Sequence, residues 1–123
     1  MFSISEASAA LGVTPHTLRY YEKEGIITPE RSESGVRIYT DSHIKWLKFV
    51  MKLRETQMPI SSIKRYTELV LEGTHTTRER LSLLEVHQIN IQEQIHTLLS
   101  TNDMLNDKIG SYKKRLADGN PSI

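Results

Sequence analysis

Leu11-Gly12-Val13-Thr14-Pro15-His16-Thr17-Leu18-Arg19-Tyr20-Tyr21-Glu22-Lys23-Glu24 is the stretch whose reading decides the fold. Gly12 supplies the backbone freedom for a tight turn. Ile4, Ala7 and Leu11 before it, with Val13 and Leu18 after it, have the spacing of two short helices that share a core. Thr14 can accept a hydrogen bond from a free amide of the next turn, and Pro15 is pre-set for a first helical position. The spacing is that of a helix-turn-helix. A second helix beginning at Pro15 turns Leu18 and Tyr21 inward and presents His16, Thr17, Arg19, Tyr20 and Lys23 on or beside its outer surface.

Downstream the pattern changes from helical to extended. Ile26-Ile27-Thr28-Pro29 and Val36-Arg37-Ile38-Tyr39 read as short strands, with Ser34-Gly35 as the turn between them, which makes a two-stranded wing. Thr40-Asp41 caps a third helix carrying Ile44, Leu47, Val50 or Met51, and Leu53. A break at Gln57-Met58-Pro59 leads into a fourth, carrying Ile60, Ile63, Tyr66, Leu69 and Val70. The fold class expected is mostly α: a winged helix-turn-helix of two helix pairs around a wing, over residues 1–73, followed by a long coiled-coil helix.

That helix starts after the polar Gly73-Thr74-His75-Thr76-Thr77, where the glycine can end one helix and the threonines can cap the next. From there Leu81, Leu84, Gln88, Ile91, Ile95, Leu98, Asn102, Leu105, Ile109, Tyr112 and Leu116 recur at alternating steps of three and four. A helix from Leu81 to Leu116 is about 54 Å long, more than a small domain can cover. Burying its eight aliphatic seam residues amounts to about 12–24 kcal/mol per chain as an upper bound. A homodimer through residues 77–117 is therefore expected, with a short tail over 118–123. Gln88 and Asn102 read as polar seam positions that set register or orientation, and Gly110 as a place where the last turns bend or fray.

Composition narrows the chemistry. With no cysteine, disulfides, thiolate nucleophiles, iron-sulfur clusters and cysteine-bound zinc are excluded. No apolar run approaches the roughly 20 residues of a membrane span, and nothing at the N-terminus resembles a secretory signal, so a cytoplasmic, non-membrane protein is expected. His75, His87 and His96 are spaced by twelve and nine residues, not by the three or four that align ligands on one helix face. They read as surface or interface residues, and no metal and no cofactor are expected. Convergent carboxylates, an activated serine and a phosphate-cradling glycine loop are likewise missing, so the chain reads as no enzyme.

The formal charge of +1 conceals an uneven distribution. Between Val36 and Arg65 seven basic residues stand against two acidic ones, a local net of +5 that suits a polyanion. His16, Thr17, Arg19, Tyr20 and Lys23 are residue types that reach base edges and phosphates from a helix in the major groove, with Thr14 beside them at its start. Arg31, Gly35, Arg37 and Tyr39 repeat that chemistry on the wing, Arg37 and Tyr39 alternating on one strand face. At the start of the fourth helix, Ser61, Ser62 and Lys64 surround unpaired amides suited to a backbone phosphate. Each feature has a plainer explanation: tyrosines as core, Arg37 paired with Glu33, serines as caps. Their order within one domain favours double-stranded DNA. The alternative is a coiled-coil interaction or scaffold module whose basic domain is only structural; a stable homodimer in solution favours the regulator over it.

Leu18-Arg19-Tyr20-Tyr21-Glu22-Lys23-Glu24-Gly25-Ile26-Ile27, then Gly35-Val36-Arg37-Ile38-Tyr39, then Leu53-Arg54-Glu55-Thr56-Gln57-Met58-Pro59-Ile60, resembles the signature of the MerR family of bacterial transcription regulators. The resemblance runs from Ile4 to about Leu71, and the long helix extends it. It implies an antiparallel homodimer on a near-palindromic promoter operator, acting on RNA polymerase indirectly by bending and untwisting DNA. Met58-Pro59-Ile60-Ser61-Ser62-Ile63-Lys64 and the short ending are most similar to the aldehyde- and electrophile-responsive members. Those carry a cysteine near the positions of Val50 to Lys52, which this chain lacks. The cysteines of metal-sensing members are missing from Thr77 to Arg80 and from Ala117 to Ile123. Only seven residues follow Leu116, too few for an appended drug-sensing domain. These absences leave the effector unassigned.

Overall fold

The computed structural model describes residues 1–119. Helices α1 (Ile4–Leu11) and α2 (Pro15–Lys23) are followed by strands β1 (Glu30–Arg31) and β2 (Arg37–Ile38). Then come α3 (Asp41–Glu55), α4 (Ile60–Glu72), a 3-10 turn over Thr74–Thr76, and α5 (Thr77–Asp118). The mostly helical, winged architecture read from the sequence is the one observed. The chain divides into two compact units, Met1–Leu84 and a second beginning at Glu85.

Local chemistry sets the helix ends in the first unit. Ser3 and Glu6 form a reciprocal capping box at the start of α1: the Ser3 amide donates to Glu6 Oε1 at 2.9 Å and the Glu6 amide to Ser3 Oγ at 3.1 Å. Gly12 stops α1 at φ 70°, a left-handed conformation that glycine adopts without steric cost. Thr14 caps α2 by accepting from the Thr17 amide at 3.2 Å, with Pro15 in the first turn. Thr40 caps α3, and the His43 ring closes its capping box by accepting from the Thr40 amide at 3.0 Å.

Leu18, Leu47, Val50, Ile63, Tyr39 and Ala7 have no exposed surface, and Leu11, Tyr21, Ile26, Ile27, Ile44, Leu53 and Met58 complete the core around them. Of the two α3 candidates, Val50 is the buried one and Met51 packs at its edge. In α4 the inward residues are Ile63, Thr67 and Leu69, while Val70 lies at the exposed rim. Trp46 stacks on Tyr66 with ring centroids 5.9 Å apart and donates its indole N–H to the Ile26 carbonyl at 2.8 Å.

The wing departs from the sequence expectation at both ends. Its ladder pairs Glu30 with Ile38 and Arg31 with Arg37, antiparallel, so Ile26–Pro29 is not its first strand. Ile26, Ile27 and Pro29 are buried instead, and Pro29 has no amide to give to a ladder. The turn closes through Gly35, at φ 83°, whose amide donates to the Ser32 carbonyl at 2.9 Å. After Ile38 the ladder ends. Tyr39 pairs with Phe2, each amide donating to the other's carbonyl at 2.8 Å, and its ring enters the core.

Between α4 and α5, Gly73 breaks the helix at φ 126° and Thr76 is buried, its hydroxyl donating to the Leu69 carbonyl at 2.6 Å. Arg65 reaches Glu68 at 3.5 Å, Glu72 at 4.0 Å and Glu79 at 3.1 Å, tying α4 to the first turn of α5. The 42-residue α5 stays helical through Gly110, so the expected fraying there is not observed. Of the seam residues, Leu84 and Ile91 are half-buried. Leu81, Gln88, Ile95, Leu98, Asn102, Leu105, Ile109, Tyr112 and Leu116 are exposed. Lys108 and Arg115 lie over the Tyr112 ring at 5.5 and 5.2 Å. Of the tail expected over 118–123, Asp118 closes α5, and residues 120–123 lie outside the described residues.

Candidate nucleic-acid interface

The outer face of α2 carries His16, Arg19, Tyr20 and Lys23, all exposed, with Thr17 half-buried beside them. Leu18 and Tyr21 fix this orientation because both are inside the core. Thr14 stands at the helix start, its hydroxyl already engaged with the Thr17 amide and lying 3.1 Å from the Thr17 hydroxyl. His16, Thr17, Tyr20 and Tyr21 line a groove of about 310 Å³ together with Arg54 and Ile60. That groove joins the recognition face of α2 to the turn between α3 and α4. Arg54 holds the turn by donating to the Met58 carbonyl at 2.9 Å. Sequence reading counted Arg54 only as part of a basic run, because nothing local places it beside a helix thirty residues earlier.

On the wing, Arg31 donates one terminal nitrogen to the Gly35 carbonyl at 3.1 Å and the other to Glu22 Oε2 at 2.9 Å. Arg37 Nε donates to Glu22 Oε1 at 2.6 Å. The carboxylate on α2 therefore takes both wing arginines. These bonds, with the one from Arg37 foremost, hold the Glu22 carboxyl below its ordinary range, and Glu22 in turn raises the Arg37 guanidinium. The salt bridge between Arg37 and Glu33 weighed from the sequence is replaced by this one, fifteen residues away.

Tyr39 is a correction. Alternation put it on the exposed face with Arg37, but it has no exposed surface, and its hydroxyl is enclosed without a hydrogen-bond partner. Burial raises its pKa most. Glu22 adds to that rise, while Arg37, Arg31 and Arg19 oppose it. Arg37 and Arg31, from β2 and β1, thus meet at the Glu22 carboxylate, and the charge of Arg19 on α2 also acts on the buried Tyr39 phenol. Together the three arginines carry a local excess of positive charge.

At α4, Pro59 is the N-cap and makes no side-chain capping bond, while its carbonyl accepts from the Ser62 and Ile63 amides at 3.0 and 3.1 Å. Ser61 is exposed and Ser62 half-buried, both within the first turn. Lys64 is engaged: its Nζ lies 3.1 Å from Glu24 Oε2, a bridge from α4 back to the end of α2. Glu22 and Glu24 are the positions that sequence reading missed. Neither was singled out from the sequence, because their partners are nine to forty residues distant.

Elsewhere, His87 is buried, a correction to its reading as a surface or interface residue. Among the described residues no group of three or more His, Cys, Asp or Glu side chains is placed to hold a metal ion. No described helix is long and apolar enough to cross a membrane.

Comparison with known proteins places this arrangement. Residues 2–69 match the model of the MerR HTH family regulatory proteins, and residues 44–108 match a model described as MerR, DNA binding. An uncharacterized HTH-type transcriptional regulator of Haemophilus influenzae is 36% identical over 119 residues, covering 96% of this chain and 88% of that one. The HTH-type transcriptional regulator ZntR of Escherichia coli is 32% identical over 84% of this chain and 79% of its own. Among solved structures, HiNmlR, a MerR family regulator lacking the sensor domain and bound to promoter DNA, superposes with a TM-score of 0.87 at 36% identity. It covers 96% of this chain and 94% of that one. A MerR family regulator from Listeria monocytogenes gives 0.91 at 33% identity, covering 97% and 91%.

Proposed function

This chain belongs to the MerR family of helix-turn-helix regulators, and we propose that it is a cytoplasmic, sequence-specific DNA-binding transcription regulator rather than an enzyme. The observation that carries the reading is the exposed face of α2, with His16, Arg19, Tyr20 and Lys23, beside a wing whose Arg31 and Arg37 are both anchored to Glu22 of that same helix. Such an array suits a helix in the major groove with a wing on the flanking phosphates. His16, Thr17, Arg19, Tyr20 and Lys23 would make the groove contacts. Arg31, Gly35 and Arg37, with Ser61, Ser62 and Lys64 at α4, would make the backbone contacts.

Two copies would pair through α5, antiparallel, using the exposed seam from Leu81 to Leu116, and so present two recognition helices to a near-palindromic operator. Control would come from DNA shape. The dimer stabilises a bent and untwisted promoter on which RNA polymerase finds its two elements correctly phased. Residues 1–73 would serve as the DNA-binding domain and 77–117 as the dimerisation helix. A likeness to a relative solved on promoter DNA supports this over the scaffold alternative.

A gel-shift titration with a duplex enriched from a random-sequence library by the protein tests the reading. Salt-sensitive binding is expected, and both Arg19→Ala and Arg37→Ala should weaken it by about 1–3 kcal/mol. Failure to enrich any sequence at low ionic strength would refute the function. Parent-like binding by both variants would refute the contact surface.

A further inference from the structure

Resting on the DNA-binding reading, we propose that Glu22 is a positioning residue for operator specificity, bracing the wing against the recognition helix while opposing general affinity for DNA. A carboxylate held between two guanidiniums is an unfavourable neighbour for phosphate, so its place is not explained by attraction to a polyanion. Its geometry explains it. Each Glu22 oxygen takes an arginine from a different wing strand, Arg31 at 2.9 Å and Arg37 at 2.6 Å. Arg31 also binds the Gly35 carbonyl at 3.1 Å, so the brace extends to the tip of the wing.

Because Arg37 is held through Nε, both its terminal nitrogens stay available to an acceptor, in a plane fixed by the carboxylate. Glu22 thus sets where the wing cations stand relative to the bases that α2 reads. Without it, two guanidiniums on adjacent strands repel and sample many rotamers. They still attract phosphate, but no longer in one register with the groove contacts. Glu24 acts on the other side of the same helix end, paired with Lys64 of α4, so α2 is set between both neighbours by its acidic residues.

The experiment compares affinity for the library-enriched duplex with affinity for a scrambled duplex of equal composition, across a salt series. For Glu22→Gln, binding to the scrambled duplex should tighten about two- to fivefold. Binding to the enriched duplex should weaken about tenfold. Glu22→Asp keeps the charge with a shorter reach. It should hold scrambled affinity at the parent level and lose less of the specificity ratio, which keeps the test usable if Glu22→Gln lowers the thermal midpoint. Arg37→Gln should weaken enriched-duplex binding less in the Glu22→Gln background than in the parent. Equal shifts on both duplexes overturn the proposal, as does additivity with Arg37→Gln. If the parent itself enriches no sequence, the DNA-binding reading fails first and this inference falls with it.

Discussion

In the unit from Met1 to Leu84 the large apolar side chains turn inward; along α5 beyond Glu85 most of them face outward. Leu18, Leu47 and Ile63 have no exposed surface, whereas Leu98 is 69% exposed and Leu116 82%. The two regions solve the problem of apolar surface differently. The first closes on itself through helix pairs, a wing and the Phe2–Tyr39 bridge. The second is a single helix, and one helix can cover only a narrow stripe of itself. Its open seam, together with exposed Val86, Ile89, Leu99 and Met104 off that seam, is the kind of contiguous apolar surface that marks an interaction site. Stability in the first region is therefore intramolecular, and in the second it depends on protein concentration.

The sharpest way to break this contrast is Leu98→Asp. Burying an unpaired carboxylate in the proposed seam costs about 3–5 kcal/mol for each charge. Sedimentation equilibrium should show the dimer converted to monomer while the circular dichroism of the first unit is kept. An unchanged mass would remove α5 as the pairing element. Next in size, Leu18→Ala should destabilise the protein by about 2–5 kcal/mol in urea titration, through a cavity between α1, α2 and α3. Leu116→Ala, at a position largely exposed in the single chain, should stay within about 0.5 kcal/mol at a concentration low enough to hold the protein monomeric. Comparable costs for the two would end the distinction between the regions.

The smallest effect is electrostatic and belongs to the first unit. Glu22 is held below its ordinary value of 4.5 when folded, chiefly by Arg37. Its contribution to stability is complete above pH 4.5 and is lost as the pH falls through its folded pKa. The urea midpoint should drop between pH 5 and 3, and Glu22→Gln should make that drop shallower. An identical pH profile in the variant would show the ion pairs to be thermodynamically silent.

Much of the fold was legible because its signals are local. Gly12, Thr14-Pro15 and Thr40-Asp41 fix helix ends through residues within one turn, and Leu18 and Tyr21 follow from helical period alone. The wing was legible as a turn but not as a ladder. Ile26 to Pro29 has strand-like composition, yet its isoleucines serve the core and its proline gives no amide. Period-two alternation misplaced Tyr39, because the strand ends one residue before it and the next partner is Phe2, thirty-seven residues earlier. In the candidate interface, the outward residues of α2 could be read from the face opposite Leu18. The acidic brace could not. Whether a glutamate on a helix surface meets water or two arginines of a later hairpin depends on tertiary placement, for which spacing carries no signal.

The Phe2–Tyr39 bridge also bears on the order in which the chain acquires structure. Its two strands meet only after thirty-six intervening residues have been drawn together, and loop closure of that length must precede any reward from the contact. The helix of α5 asks for nothing so distant: each of its backbone bonds spans one turn, and such helices elongate in about a nanosecond per residue. On release into refolding conditions, at a protein concentration that lets two copies of α5 pair, α5 should gain amide protection before Phe2 and Tyr39 do. The later of the two regions in sequence would then be the first to take shape, and the domain that reads DNA would close behind it.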